Sequence, residues 1–199
     1  GKHPQVAAIF SKHALAVCEG QQLDMEYERR EQVSVSEYRA MIRLKTAMLL
    51  AGSLQIGACL AGAGAVDQER IAAFGEHLGL AFQLRDDLLD AFGDPAATGK
   101  QQGGDLRAGK KTFLLIRGLE LGEAHGRREL QDELAKPGEG RDVPRMLKVL
   151  EELGVRTEAE RTVQQEEEWA MNALGEVSAP ADRKKPLRQL VTLLMGRTR

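Results

Sequence analysis

The stretch Phe82-Gln83-Leu84-Arg85-Asp86-Asp87-Leu88-Leu89-Asp90 decides how the rest of this chain is read. Placed on a helix at about 100° per residue, Gln83, Asp86, Asp87 and Asp90 fall within an arc of roughly 100°. Phe82, Leu84, Leu88, Leu89, Ala91 and Phe92 take most of the remaining circumference. A solvent-facing helix shows the opposite proportions, so this one is expected to be enclosed, with its acidic stripe turned toward an interior cavity. Like charges one turn apart repel, and burying carboxylates without a partner is costly, so a cation is the natural compensator. Hard oxygen ligands with no nearby His or Cys point to Mg²⁺, and Asp86, Asp87 and Asp90 are the candidate metal ligands. Taken alone, the stripe is equally compatible with a solvated acidic turn.

The residues that follow shift that balance. Gly93, Gly99, Lys100, Gly103, Gly104, Asp105, Gly109, Lys110 and Lys111 form a glycine-rich segment, read as a loop from Thr98 to Gly109. Glycine lets backbone approach a ligand closely, and an ammonium group is a good point-charge partner for phosphate. Carboxylates, a divalent metal and Lys100 and Lys110 together describe a diphosphate site. Upstream, Lys45 and Thr46 stand at the start of a nearly uncharged, small-residue segment from Ala47 to Val66. Beyond such a lysine, that helix would make a smooth wall for a hydrocarbon chain whose charged end lies at Lys45. Gln21 and Asp24 are weaker candidates, with a structural role as the alternative.

Helical periodicity extends almost everywhere, and no alternating series bounded by turns argues for a strand, so the fold is expected to be all-α. Helices are expected from about Gln5 to Arg30, from the capping box Ser34-Val35-Ser36-Glu37 to about Ala63, and from about Asp67 to Phe92. Helix resumes near Lys110, breaks at Lys136-Pro137-Gly138-Glu139-Gly140, and ends again at Gly154. Thr157-Glu158-Ala159-Glu160 reads as a second capping box, and a last helix follows Ala179-Pro180.

The 199 residues, 42% of them hydrophobic, suffice for one globular unit. A net charge of -2 and few aromatic residues exclude a basic nucleic-acid footprint and stacking platforms. Cys18 and Cys59 are isolated, which suits a reducing compartment and the cytoplasm. The Ala47 to Val66 segment, interrupted by Ser53 and Gln55, suits a helix buried in protein better than stable membrane insertion. Arg197 and Arg199 read as a solvated tail.

The stretch from Phe82 to Asp90, with Gly93-Asp94, Gly99-Lys100, Gly104-Asp105 and Gly109-Lys110-Lys111-Thr112, resembles the second aspartate-rich motif and following loop of trans-polyprenyl diphosphate synthases. Gly20-Gln21-Gln22-Leu23-Asp24 and Arg43-Leu44-Lys45-Thr46-Ala47 resemble two further motifs of that family, in the same order. The resemblance covers most of the chain. It implies an isoprenoid synthase-type helical bundle and a prenyltransferase that joins an allylic diphosphate to isopentenyl diphosphate head to tail. By the same resemblance Asp86, Asp87 and Asp90 would bind Mg²⁺, and Lys45, Lys100 and Lys110 would contact diphosphate oxygens. Thr46 and Gln83 would turn their oxygens toward the carbocation, and the enzyme would be a homodimer.

The family's first aspartate-rich motif, its adjacent arginine pair and an earlier basic motif have no counterpart here. Residues 1–199 are therefore expected to be the C-terminal part of a single synthase domain, with one of two carboxylate clusters and little of the isopentenyl diphosphate site. A terpene cyclase shares the chemistry, but its cavity calls for aromatic residues that are scarce here. A non-catalytic regulatory subunit of a synthase and a helical interaction domain with a fortuitous acidic turn are the remaining alternatives.

Overall fold

A computed structural model describes residues 4–94 and 102–196, and among them only helices and connecting turns occur. Helix α1 spans Pro4–Arg29, α2 Val35–Ile42, α3 Met48–Leu60 and α4 Ala65–Phe92. After these come α5 (Gly104–Ala108), α6 (Phe113–Ala124), α7 (Glu129–Leu134), α8 (Val143–Glu152), α9 (Val155–Glu176) and α10 (Ala181–Met195). Among the described residues no helix is long and apolar enough to cross a membrane. The all-α expectation holds, with four local departures, one of them a turn at residues 125–128 that divides the helix expected between Lys110 and Lys136 into α6 and α7. The helix expected from the Ser34 box to Ala63 is interrupted by a π-helical turn at Arg43–Ala47. Part of the expected glycine loop is the short helix α5, because Gly103 and Gly109, both at φ +71°, take the left-handed conformation that lets a single helical stretch start and stop abruptly. Thr157 lies inside α9, which already begins at Val155, so the second expected capping box is not a cap.

The described chain divides into two units, and α1, α2, α4 and α9 contribute to both. The first comprises residues 4–26, 39–83 and 163–196. Here α3 and α4 approach to backbone contact: a Cβ on Gly79 would lie 2.5 Å from Ala47 Cα, and one on Gly75 2.8 Å from Ala51 Cα. Ala47 and Ala51 are correspondingly buried. Ala47, in the π turn, and Ala51, in α3, thus serve close helix packing at these positions. The carboxylate of Glu166, fully buried, accepts from Arg39 and lies 2.8 Å from His77 Nδ1. Burial pushes this carboxyl up, but the His77 and Arg39 contacts outweigh it and hold it below its ordinary value. Helix α10 is tied back by Lys184 Nζ, which donates to the Gly175 carbonyl at 2.8 Å.

The second unit comprises residues 27–38, 84–94 and 102–162. Its α2 terminus is the capping box read from the sequence. The Ser34 hydroxyl accepts from the Glu37 N–H at 3.2 Å, and the Glu37 carboxylate accepts from the Ser34 N–H at 2.9 Å. Arg30 adds an ion pair to Glu37 at 2.8 Å. Arg141 donates to the carbonyls of Leu106, Arg107 and Leu134 at 3.3, 2.8 and 3.1 Å, satisfying groups left open where α5 and α7 end.

The Ser34 N–H, the Ser34 hydroxyl and Arg30 hold the Glu37 carboxyl at about 2, against an ordinary 4.5. A carboxyl lowered on folding stabilises fully above its unfolded value and loses that contribution as pH falls through its folded one. Glu37→Gln should therefore lower Tm at pH 7, and its deficit relative to wild type should shrink as pH is lowered from about 4.5 toward 2. Thermal denaturation followed by circular dichroism across that range checks this; a deficit independent of pH contradicts it.

Candidate functional site

In the first unit, α1 crosses the π turn at Gly20. A Cβ there would stand 2.7 Å from Lys45 Cα and 2.8 Å from the Leu44 carbonyl carbon, so only glycine fits. One turn farther along α1, the Asp24 carboxylate accepts from Lys45 Nζ at 2.5 Å. The Gly-Gln-Gln-Leu-Asp segment thus acts through its first and last members: glycine admits the π turn and aspartate receives its lysine. Gln21 is exposed. The π turn adds one residue to a helical turn, a device that redirects side chains and recurs at functional sites. Directly after Lys45, the Thr46 hydroxyl donates to the side-chain oxygen of Gln83 at 3.1 Å. Two of the sequence-predicted residues are thereby joined.

One turn beyond Gln83 on α4, the three aspartates differ from one another in exposure. Asp86 is exposed, Asp90 is half-buried, and Asp87 is only 3% exposed. The Tyr38 hydroxyl, itself buried, donates to Asp87. Asp90 accepts from the Asp105 N–H at 2.9 Å through its carboxylate and from the Gly103 N–H at 2.7 Å through its main-chain carbonyl. Gly104 lies so close that a Cβ would be 3.1 Å from Asp90 Oδ1. Lys110, exposed, pairs with Asp105 at 3.6 Å. Lys100 lies outside the described residues, as do Arg197 and Arg199.

Burial pushes the Asp105 carboxyl up, Lys110 opposes that, and the charges of Asp90 and then Asp86 push it up further, for a net rise. Among the described residues no three His, Cys, Asp or Glu side chains converge into a metal cage. An all-oxygen donor set fits a cation that keeps waters and phosphate oxygens in its shell, which is the habit of Mg²⁺. Sequence reasoning placed Asp105 only within the loop and passed over Tyr38. Nothing in the spacing marks a tyrosine 49 residues from its aspartate.

Known proteins resemble this chain in sequence and in fold. A family model described as polyprenyl synthetase matches residues 1–152. The geranylfarnesyl diphosphate synthase of Aeropyrum pernix is 35% identical over 192 residues, covering 96% of this chain and 59% of that protein. A crystal structure of a geranylgeranyl pyrophosphate synthase matches with TM-score 0.87 at 39% identity, over 97% of this chain and 61% of that one. A geranylgeranyl pyrophosphate synthase from Corynebacterium glutamicum, solved in complex with isoprenyl diphosphate and magnesium, matches with TM-score 0.87 at 31% identity, over 96% of this chain and 55% of that one. The chain spans less than two thirds of the length of each of these relatives.

The fit of Gly20 against the π turn is directly testable. Gly20→Ala should destabilise by about 1–3 kcal/mol, the usual cost of overpacking a closed contact. Gly57→Ala, in α3 with no heavy atom near its Cβ position, should be neutral or stabilising by up to about 1 kcal/mol. Urea denaturation of the two variants checks this, and equal stabilities contradict it.

Proposed function

The chain belongs to the polyprenyl synthetase family, and on that premise we propose that it serves the Mg²⁺-dependent head-to-tail condensation of an allylic diphosphate with isopentenyl diphosphate. Residues 1–199 are, in this proposal, the part of a single synthase domain that carries the second aspartate-rich motif, and the enzyme works as a homodimer. The observation that carries the proposal is the gathering of carboxylates in which Asp90 accepts from the Asp105 N–H at 2.9 Å, Lys110 lies 3.6 Å from Asp105 and Asp86 is exposed.

In the reaction the allylic carbon–oxygen bond breaks and its electron pair leaves on diphosphate. The double bond of isopentenyl diphosphate then attacks the carbocation, and a proton is lost. Mg²⁺, when bound, would supply charge neutralisation at the oxygens of the leaving diphosphate. Asp86 and Asp90, with Asp87, would hold that cation. Lys45, Lys100 and Lys110 take diphosphate oxygens, and Lys45 must exchange its Asp24 partner for one of them. Thr46 and Gln83, already joined through the threonine hydroxyl, turn oxygen lone pairs toward the positive carbon. The corynebacterial relative's complex with isoprenyl diphosphate and magnesium supports the choice of ligands.

The protein bearing this chain, supplied with geranyl or farnesyl diphosphate, isopentenyl diphosphate and Mg²⁺, should form a longer polyprenyl diphosphate, read by chromatography of the products. Chelation by EDTA should abolish the product, and Asp86→Ala should reduce kcat by about 10²–10³-fold, as loss of one transition-state charge partner does. Absence of product from the wild type, matched by Asp86→Ala, contradicts the assignment.

A further inference from the structure

Arginine ordinarily serves carboxylates or phosphates, but Arg141 serves the main chain. It is half-buried, between the 3₁₀ turn Gly138–Gly140 and α8. Nη1 donates to the carbonyls of Leu106 and Arg107 at 3.3 and 2.8 Å, Nη2 to that of Leu134 at 3.1 Å, and Nε to that of Lys136 at 3.2 Å. Among the described residues no carboxylate pairs with it. One planar fork thus joins the last turn of α5 to the end of α7 and the chain leaving it. Gly109 makes room for the fork, since a Cβ there would stand 2.7 Å from Nη1. The 3₁₀ turn closes on the same place: a Cβ on Gly138 would lie 2.8 Å from the Arg107 carbonyl oxygen.

The segment held in this way carries polar groups of the candidate site. At its start the Gly103 N–H donates to the Asp90 carbonyl at 2.7 Å and the Asp105 N–H to the Asp90 carboxylate at 2.9 Å. At its end Lys110, directly after Gly109, donates its N–H to the Asp105 carbonyl at 2.9 Å and brings its ammonium within 3.6 Å of the Asp105 carboxylate. Leu106, 2% exposed, anchors the segment in the core. Apolar burial is non-directional, so it holds a single turn of helix down without fixing its rotation, whereas hydrogen bonds are directional. Among the described residues, the hydrogen bonds that tie residues 103–109 to distant parts of the chain go to Asp90 at one end and Arg141 at the other.

We propose that Arg141 is a positioning residue for the diphosphate site: its bonds to the Leu106 and Arg107 carbonyls hold residues 103–110 closed on Asp90 and so place Lys110 and Asp105 for Mg²⁺ and diphosphate. This rests on the functional reading given above, and it adds a residue that touches neither metal nor substrate. Without the guanidinium, the carbonyls at the end of α5 turn to water for partners, and the turn before Lys110 opens. Groups that orient ligands from outside the coordination shell commonly contribute about 10–100-fold to metal affinity.

The test is isothermal titration of the protein with Mg²⁺ in the presence of inorganic diphosphate, joined to amide hydrogen exchange. Arg141→Met keeps the stem of the side chain, removes the fork, and should weaken Mg²⁺ binding by about 10–100-fold. Exchange should accelerate at the Asp105 and Lys110 amides. Arg127→Met, which removes ion pairs to Glu129 and Glu152 in the same unit, is the control and should alter neither affinity nor exchange at residues 103–110. Where Arg141→Met fails to fold, Arg141→Lys replaces it: the charge stays, but a compact ammonium does not span the ends of α5 and α7, so affinity should still fall. A role confined to stability would lower Tm and leave Mg²⁺ affinity and the two amides unchanged; that result overturns the proposal and leaves the functional reading standing. Wild-type affinity in Arg141→Lys, or an equal loss in Arg127→Met, overturns it as well. A wild-type protein that takes up no Mg²⁺ with diphosphate present contradicts the functional reading itself, and this proposal with it.

Discussion

Three carboxylates within five residues of one helix set the terms for the second unit of this protein. The surrounding structure meets each one differently. Asp87 is sunk and given a phenol, Asp90 receives the amide of Asp105 at 2.9 Å, and Asp86 is left facing water. Asp105, drawn in beside them, adds to the negative charge and brings Lys110 within 3.6 Å. What remains is a cluster of carboxylates with Asp86 exposed, an arrangement that suits a divalent cation whose shell keeps water and phosphate oxygens.

The same helix carries a different constraint in its earlier turns. Gly75 and Gly79 admit α3 to backbone contact, and Ala47 and Ala51 meet them there. That contact fixes the start of α3, which directly follows the π turn bearing Lys45 and Thr46. Gly20 then lets α1 cross the π turn, and Asp24 receives the lysine at 2.5 Å. Gly20, Gly75 and Gly79 in this unit are therefore positional devices: each omits a side chain so that two helical segments can meet at their backbones. Gln83 belongs to this unit, and Asp86, one turn later on the same helix, belongs to the other.

Local signals were legible in the sequence and radial ones were not. The Ser34–Glu37 box was readable because both partners lie within one turn and need no tertiary context. The same pattern at Thr157–Glu160 misled, because α9 starts at Val155 right after Gly154, at φ +74°, ends the preceding turn, so a serviceable cap sequence falls inside a helix. The glycines around α5 suggested an open loop; two of them instead bracket one turn of helix, which depends on backbone angles that composition does not encode. The π turn is equally invisible, since Arg43–Ala47 has the composition of an ordinary helix. The wheel identified Asp86, Asp87 and Asp90 as one face, but their unequal burial depends on Tyr38 and Asp105, which arrive from distant parts of the chain.

The central claim is that this carboxylate and lysine cluster is built to receive Mg²⁺ and diphosphate together. A ligand that binds only the native state raises its stability in proportion to occupancy. The most direct measurement is the Tm of the 199-residue chain with Mg²⁺ alone, inorganic diphosphate alone, and both. The two together should raise Tm by more than the sum of their separate effects, and Asp86→Asn should remove the excess. Strict additivity, or no shift with both ligands present, would contradict the account.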